Sequence, residues 1–164
     1  MESGAEIPVN LGIMLLSDEE TGNKYGMDYV IAQRPDLFGK NDSFLVQDSG
    51  DPQGCEVEIA EKNVFWIKFT TEGKQCHGSM PASGNNALYA GSQLLIRLRE
   101  GLYAKFDKRD SLFAPDNSTF EPTKKDANVP NVNTIPGTDV FYMDCRVLPS
   151  YDPQVFKDEI ASII

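Results

Sequence analysis

The spacing of apolar residues in the second half of the chain sets the order of its strands and helices. Residues 64–70 alternate apolar and polar side chains, which predicts a strand. A stripe at spacings of three and four then follows, which predicts a long amphipathic helix over roughly 85–106. The stripe comprises Leu88, Gly91, Leu95, Leu98 and Leu102. The remaining predicted elements are strands over 119–123, 130–137 and 140–147 and a helix that begins at Asp152-Pro153. Without the interrupted candidate over 130–137, the β-α-β-β-α order is a ferredoxin-like unit without its last strand.

The last predicted helix runs to the end of the chain. Its apolar stripe comprises Phe156, Ile160, Ile163 and Ile164. Because natural termini are usually polar and loosely held, we expect a truncated chain or an incomplete domain.

The first part of the chain follows a different pattern. Two nearly continuous apolar runs, 11–16 and 44–46, flank a weak helical pattern that stops at Arg34-Pro35. Runs of this kind are typical of parallel strands covered on both faces, so a βαβ unit is predicted. Polar residues from 50 to 63 then indicate a boundary. We therefore expect an α/β portion over 1–61 and an α+β portion over 62–164.

Acidic residues follow both predicted parallel strands. Glu19 and Glu20 come after the first run, and Asp48 comes after the second. Ligands of open α/β sheets bind at the carboxyl ends of the strands, so these carboxylates would share one rim. The alternative is that they are turn residues that cap the next helix.

Composition excludes several classes of function. The chain has 164 residues and a formal net charge of −10, which disfavours binding to phosphate backbones. No apolar run approaches the ~20 residues needed to span a bilayer. Three scattered cysteines are too few for a disulfide scaffold or a cysteine-type zinc site. With no secretory signal at its start, the chain is expected in the cytoplasm.

Five motifs, in order along the chain, resemble those of one enzyme family. They are SDEETG at 17–22, QDSG at 47–50, GKQCHGSMP at 73–81, NTIPG at 133–137 and DCRVLP at 144–149. The chain resembles the zinc-dependent amidohydrolases and peptidases that include succinyl-diaminopimelate desuccinylase, acetylornithine deacetylase, aminoacylase and glutamate carboxypeptidase. This likeness implies the end of a catalytic domain over 1–61 and most of a lid and dimerisation domain over 62–164.

The resemblance assigns roles to the acidic residues. Glu19 matches the general base, which takes a proton from the attacking water. Glu20 and Asp48 match metal ligands, one for each ion of a two-zinc centre, although cobalt or manganese also suit such carboxylates.

The resemblance also assigns roles in the second half. His77, the one histidine of the chain, matches the lid histidine that stabilises the developing oxyanion. Asn133 matches a substrate-binding asparagine. Arg146 matches the arginine that grips a substrate carboxylate, a task suited to a planar bidentate donor. The alternatives are a solvated loop histidine, a turn asparagine and an arginine that pairs with acids near Asp144.

The family's other ligands, an upstream H-x-D motif and a late histidine, have no match here. A catalytic zinc site typically needs about three protein ligands, so we expect the isolated chain to be inactive. The implied parent is a homodimeric hydrolase acting on a small amide or dipeptide that bears a carboxylate.

Two other functions are alternatives to a hydrolase. The chain could serve as a non-catalytic dimerisation or binding module that keeps the lid fold. An acidic calcium-binding protein fits less well, because Asp48, Asp51, Glu56 and Glu58 lack the regular spacing of an EF-hand loop.

Overall fold

A computed structural model describes residues 8–46, 48, 50–55 and 57–164. The chain divides into two compact units, Met1–Ser49 and Gly50–Ile164. Among the described residues, no helix is both long enough and apolar enough to cross a membrane.

The described residues of the first unit form one short helix and two 3-10 turns. Helix α1 covers Met27–Gln33, and the turns cover Glu19–Thr21 and Pro35–Leu37. Arg34 ends the helix directly before Pro35. The predicted stop is confirmed, because proline disfavours helical backbone at the residue before it.

The structure corrects the expectation of two parallel strands in this unit. Residues 11–16 and 44–46 form no strand, and Leu15 and Leu45 are 92% and 80% exposed. A parallel strand needs a hydrogen-bonded neighbour and helices over both of its faces. Among the described residues, neither run has a hydrogen-bonded neighbouring strand, so the runs form no sheet.

The second unit has the predicted β-α-β-β-α order and two very short strands besides. One of these, Thr134–Ile135, lies within the predicted strand over 130–137, and the other, Cys76–His77, was not predicted. Its elements are β1 Asn63–Glu72, β2 Cys76–His77, α2 Ala87–Lys105, β3 Thr119–Lys125, β4 Thr134–Ile135, β5 Thr138–Val147 and α3 Pro153–Ile163, with a 3-10 turn at Pro81–Ser83. Side chains of Asn86 and Asp152 accept hydrogen bonds from the first turns of α2 and α3. Both residues are good N-caps, which explains where the two helices begin.

The main sheet is antiparallel with the order β1-β5-β3. Cys145 of the central strand faces Phe65 on one side and Phe120 on the other. The two outer strands therefore run in the same direction, and α2 connects them across the sheet. This split β-α-β arrangement confirms the predicted ferredoxin-like topology.

One face of the sheet packs against both long helices. The buried core comprises Phe69, Leu98, Leu102, Phe106, Phe120, Phe141, Met143, Cys145, Val147, Phe156 and Ile160. The ring of Phe156 in α3 lies 4.7 Å from that of Phe65 in β1. Ile164, which was expected in the apolar stripe of α3, is 72% exposed because it follows the last helical residue.

Candidate functional site

The short strands β2 and β4 bring together residues that are far apart in the sequence. His77 faces Thr134 in this two-stranded ladder. The backbone N–H of Gly78 donates to the carbonyl of Asn133 over 2.6 Å. As a result, His77 Nε2 and Asn133 Nδ2 lie 3.4 Å apart. The structure therefore joins two of the predicted site residues, and both are exposed.

The lack of a side chain at Gly78 leaves room for this close approach. A Cβ at Gly78 would lie 3.1 Å from the carbonyl oxygen of Asn133. Contacts that short force the neighbour to give way, so a larger residue would push the turn at 131–133 away from His77.

The ladder is tied to the main sheet at both of its ends. Gly73 donates its N–H to Gly137 over 2.7 Å, which links the segment after β1 to the one before β5. Lys74 and Asn85 exchange backbone hydrogen bonds of 2.8 and 2.9 Å, which close the loop that carries His77. The positions of His77 and Asn133 are thus fixed by backbone hydrogen bonds.

Arg146 lies on the sheet face opposite the helices and is already paired. Its Nε and Nη2 donate to the two carboxylate oxygens of Asp144 over 2.7 and 2.9 Å. Trp66 Nε1 donates to the same carboxylate over 2.9 Å. The hydrogen bond from Arg146 lowers the pKa of Asp144, with help from Trp66. The structure thus shows Arg146 in an ion pair with Asp144, which is in line with the alternative role of this arginine.

A buried carboxylate near the ladder was not among the predicted site residues. Asp139 at the start of β5 is 0% exposed. It accepts a hydrogen bond from Asn128 over 2.9 Å and forms an ion pair with Lys125. The sequence indicated its burial, because Asp139 lies two and four residues before Phe141 and Met143 and so shares their face of the strand.

Glu19 and Glu20 lie in a tightly closed turn of the first unit. Asp18 begins it with a left-handed backbone, φ 57°. Its carboxylate accepts the N–H of Tyr25 over 2.8 Å, and its carbonyl accepts that of Asn23 over 2.9 Å. Both glutamates are exposed at the tip of the turn.

Asp48 is also exposed, while its motif neighbours Gln47 and Ser49 lie outside the described residues. Within the described part of the chain, no three histidine, cysteine, aspartate or glutamate side chains come close enough to hold a metal ion. Carboxylates are suitable donors, but about three protein ligands are needed for a catalytic zinc ion. The chain's own described residues therefore do not fit a complete metal centre.

Comparison with known proteins identifies the family. Residues 59–164, more than half of the chain, match the model of the peptidase dimerisation domain of M20 peptidases. The chain belongs to the M20 peptidase family. The resemblance found in the motifs is thereby confirmed, and the ferredoxin-like unit of this M20 chain is its dimerisation domain.

Curated relatives extend the likeness across the first unit of the M20 chain. An uncharacterized metallohydrolase of Methanocaldococcus jannaschii is 46% identical over 151 residues, which cover 92% of this chain and 37% of that protein. Aminoacylase-1 of Homo sapiens is 23% identical over 163 residues, which cover 97% of this chain and 40% of that protein. The chain spans about two fifths of the length of these relatives.

Solved structures show the same fold as the M20 chain. A crystal structure described as an aminohydrolase from methicillin-resistant Staphylococcus aureus superposes with a TM-score of 0.50 at 21% identity. The match covers 65% of this chain and 26% of that one. At this level of identity the likeness concerns the fold alone.

Proposed function

We propose that this chain is part of a metal-dependent hydrolase that cleaves an amide or peptide bond next to a carboxylate. Residues 1–61 would contribute to the catalytic domain, and residues 62–164 would form the lid and dimerisation domain. The family match and the metallohydrolase and aminoacylase relatives support this reading.

The pairing of His77 with Asn133 is the observation that carries the proposal. Two nitrogen-bearing side chains that are 56 residues apart meet on one exposed ladder. Preorganised N–H donors of this kind stabilise the negative charge that develops on a carbonyl oxygen during acyl transfer.

Arg146 would bind the carboxylate of the substrate. Its bidentate contact with Asp144 shows that the guanidinium can present two parallel N–H donors from this strand. A substrate carboxylate would replace the Asp144 contact, because both offer the same pair of oxygens. Asn133 would add a further polar contact to the substrate.

The acidic residues of the first unit would complete the chemistry. Glu19 would act as the general base that accepts a proton from water, and an exposed tip position leaves its carboxylate accessible. Glu20 and Asp48 would donate oxygens to two zinc ions, or to cobalt or manganese, with the other ligands supplied from outside the described residues. When bound, the metal ions would activate water and polarise the carbonyl.

Hydrolysis by the full-length protein tests the proposal. N-acetyl amino acids, N-succinyl amino acids and dipeptides would be assayed with the wild type, Glu19→Gln and His77→Ala. We expect wild-type turnover of at least one substrate class and a loss of at least about 10²-fold in kcat for each variant. The 164-residue chain alone is expected to show no turnover. Full activity in Glu19→Gln, or chelator-sensitive activity of the isolated chain, would contradict the assignment.

A non-catalytic dimerisation module is the second candidate, and the dimerisation-domain match favours it. Homodimer formation is common to both proposals, so sedimentation of the isolated chain should give about twice the monomer mass of 18.2 kDa. The two candidates are separated by the hydrolysis assay, since a module would bind no metal and turn over no substrate at full length.

We place the protein in the cytoplasm, as proposed from the sequence. Cys55, Cys76 and Cys145 are all free thiols in the structure, which suits a reducing compartment. Fractionation of the source cells would test this placement.

A further inference from the structure

The two ring nitrogens of His77 have different partners. Ser79 approaches Nδ1 twice, with its hydroxyl oxygen at 2.8 Å and its backbone nitrogen at 3.2 Å. A backbone N–H can donate but cannot accept. The Nδ1 atom must therefore present its lone pair, and in a neutral imidazole the proton then resides on Nε2.

We propose that Ser79 is a positioning residue that holds His77 in the Nε2–H tautomer. The inference rests on the proposed function for its catalytic meaning, although the tautomer itself is a property of the loop. The hydroxyl of Ser79 donates its proton to Nδ1 beside the backbone N–H, so both contacts favour the same tautomer.

The contact at Nε2 fits this assignment once the side-chain amide of Asn133 is rotated. In the structure Nε2 faces Nδ2 of Asn133 at 3.4 Å, which would oppose two donors if Nε2 carries a proton. Rotation of the amide by 180° places Oδ1 there, and the two orientations differ only in which atom is named nitrogen. The hydroxyl of Thr134, 3.5 Å from the Asn133 amide, can donate or accept and so suits either orientation.

The tautomer decides what the ring can do. With the proton on Nε2, His77 carries an N–H that the rotated Asn133 amide accepts at rest and that a substrate carbonyl oxygen could accept in its place. The other tautomer would present a lone pair at the same position and would repel a developing oxyanion. Ser79 would thus select the useful form of the ring without touching the substrate.

Nitrogen NMR on the purified chain tests the proposal directly. Because His77 is the one histidine among 164 residues, a long-range ¹H–¹⁵N spectrum of the labelled chain shows a single imidazole. At about pH 8.5, where free imidazole is neutral, the wild type should show a bare Nδ1 and a protonated Nε2. Ser79→Ala should move the two nitrogen shifts toward each other as the tautomers mix, and Ser79→Thr, which keeps a hydroxyl, should restore the wild-type pattern.

Two results would overturn the proposal. One is a wild-type ring with its proton on Nδ1, and the other is a Ser79→Ala spectrum identical to that of the wild type. The backbone amide spectrum outside residues 76–80 serves as the folding control. It should be unchanged, because Ser79 is exposed and contributes nothing to the core.

Kinetics of the full-length protein separate this inference from the proposed function. Ser79→Ala should lower kcat about 10-fold with little change in KM, a smaller loss than that of His77→Ala, and Ser79→Thr should recover most of it. If His77→Ala is fully active, the proposed function fails while the tautomer result stands. If His77→Ala is inactive and Ser79→Ala keeps full kcat, the positioning role fails while the proposed function stands.

Discussion

Replacing the buried Asp139 by alanine should destabilise the second unit by about 2–3 kcal/mol. The change removes an ion pair with Lys125 and a hydrogen bond from Asn128. A hydrogen bond to a charged group contributes about 1.5–3 kcal/mol, and losing a buried pair costs about 3–5 kcal/mol when the partner stays buried. The side chain of Lys125 is 39% exposed and can turn to water, which places the expected cost below that range.

The tight packing around this carboxylate indicates that the loss of stability should not fall below about 2 kcal/mol. A Cβ at Gly91 would lie 2.5 Å from the carboxylate oxygen of Asp139, so α2 passes the buried group without spare room. Truncation to alanine therefore leaves a space that the helix backbone cannot easily fill. Urea unfolding followed by circular dichroism measures the change, and the thermal midpoint should fall by roughly 10 °C.

Asp126→Ala is the matched control for this experiment. Asp126 pairs with the hydroxyl of Tyr142 over 3.0 Å and lies 3.9 Å from Lys124, but its side chain is 39% exposed. Exposed pairs of this kind contribute about 0–1 kcal/mol. If the two alanine variants lose the same free energy of unfolding, burial is not what makes Asp139 important and the reasoning is refuted.

Three further outcomes are expected. Gly78→Ala should displace the adjoining turn and shift the imidazole resonances, and an unchanged NMR spectrum would contradict the close contact. Arg146 lowers the pKa of Asp144, so their pair stabilises the sheet above the ordinary carboxyl pKa of about 3.9, and this stability is lost as pH falls through the lowered value. Asp144→Asn should therefore cost about 1 kcal/mol in urea unfolding at pH 7, and this cost should shrink as the pH is lowered below the ordinary carboxyl pKa. Burial raises the pKa of Cys145 to about 12, so Ellman's reagent should modify exposed Cys55 in the native protein and reach Cys145 only on unfolding.

The main elements of the second unit could be predicted because their periodicity is strong. In β5, alternate residues are buried from Asp139 to Val147, and the sequence shows this alternation directly. The start of α3 was predictable because Asp152-Pro153 combines a capping side chain with a proline at the first helical position. Local chemistry of this kind does not depend on distant parts of the chain.

The runs at 11–16 and 44–46 show where such prediction fails. An apolar run indicates that a segment is suited to burial, but it does not supply the strands and helices that would bury it. Strand pairing is a property of two segments, and neither run has a hydrogen-bonded partner among the described residues. The acids that follow these runs therefore do not lie at the edge of a sheet in the described part of the chain.

The contact between His77 and Asn133 could be anticipated only from motifs. Strands β2 and β4 are two residues long, too short for any alternation to be visible. The parity of Asp139 places it on the buried face of the strand, but parity does not show which partners an acid would have there. Its partners Lys125 and Asn128 become neighbours only after the chain folds.

The positions of these residues suggest how stability is divided in the second unit. The fully buried rings and leucines lie between the three-stranded sheet and its two helices, whereas His77, Ser79 and Asn133 are exposed on a ladder held by a few backbone hydrogen bonds. Segments with little buried apolar surface open at lower free energy than the core. Amide hydrogen exchange should therefore be faster in β2 and β4 than in β5, because the ladder opens locally while the sheet that carries it stays folded.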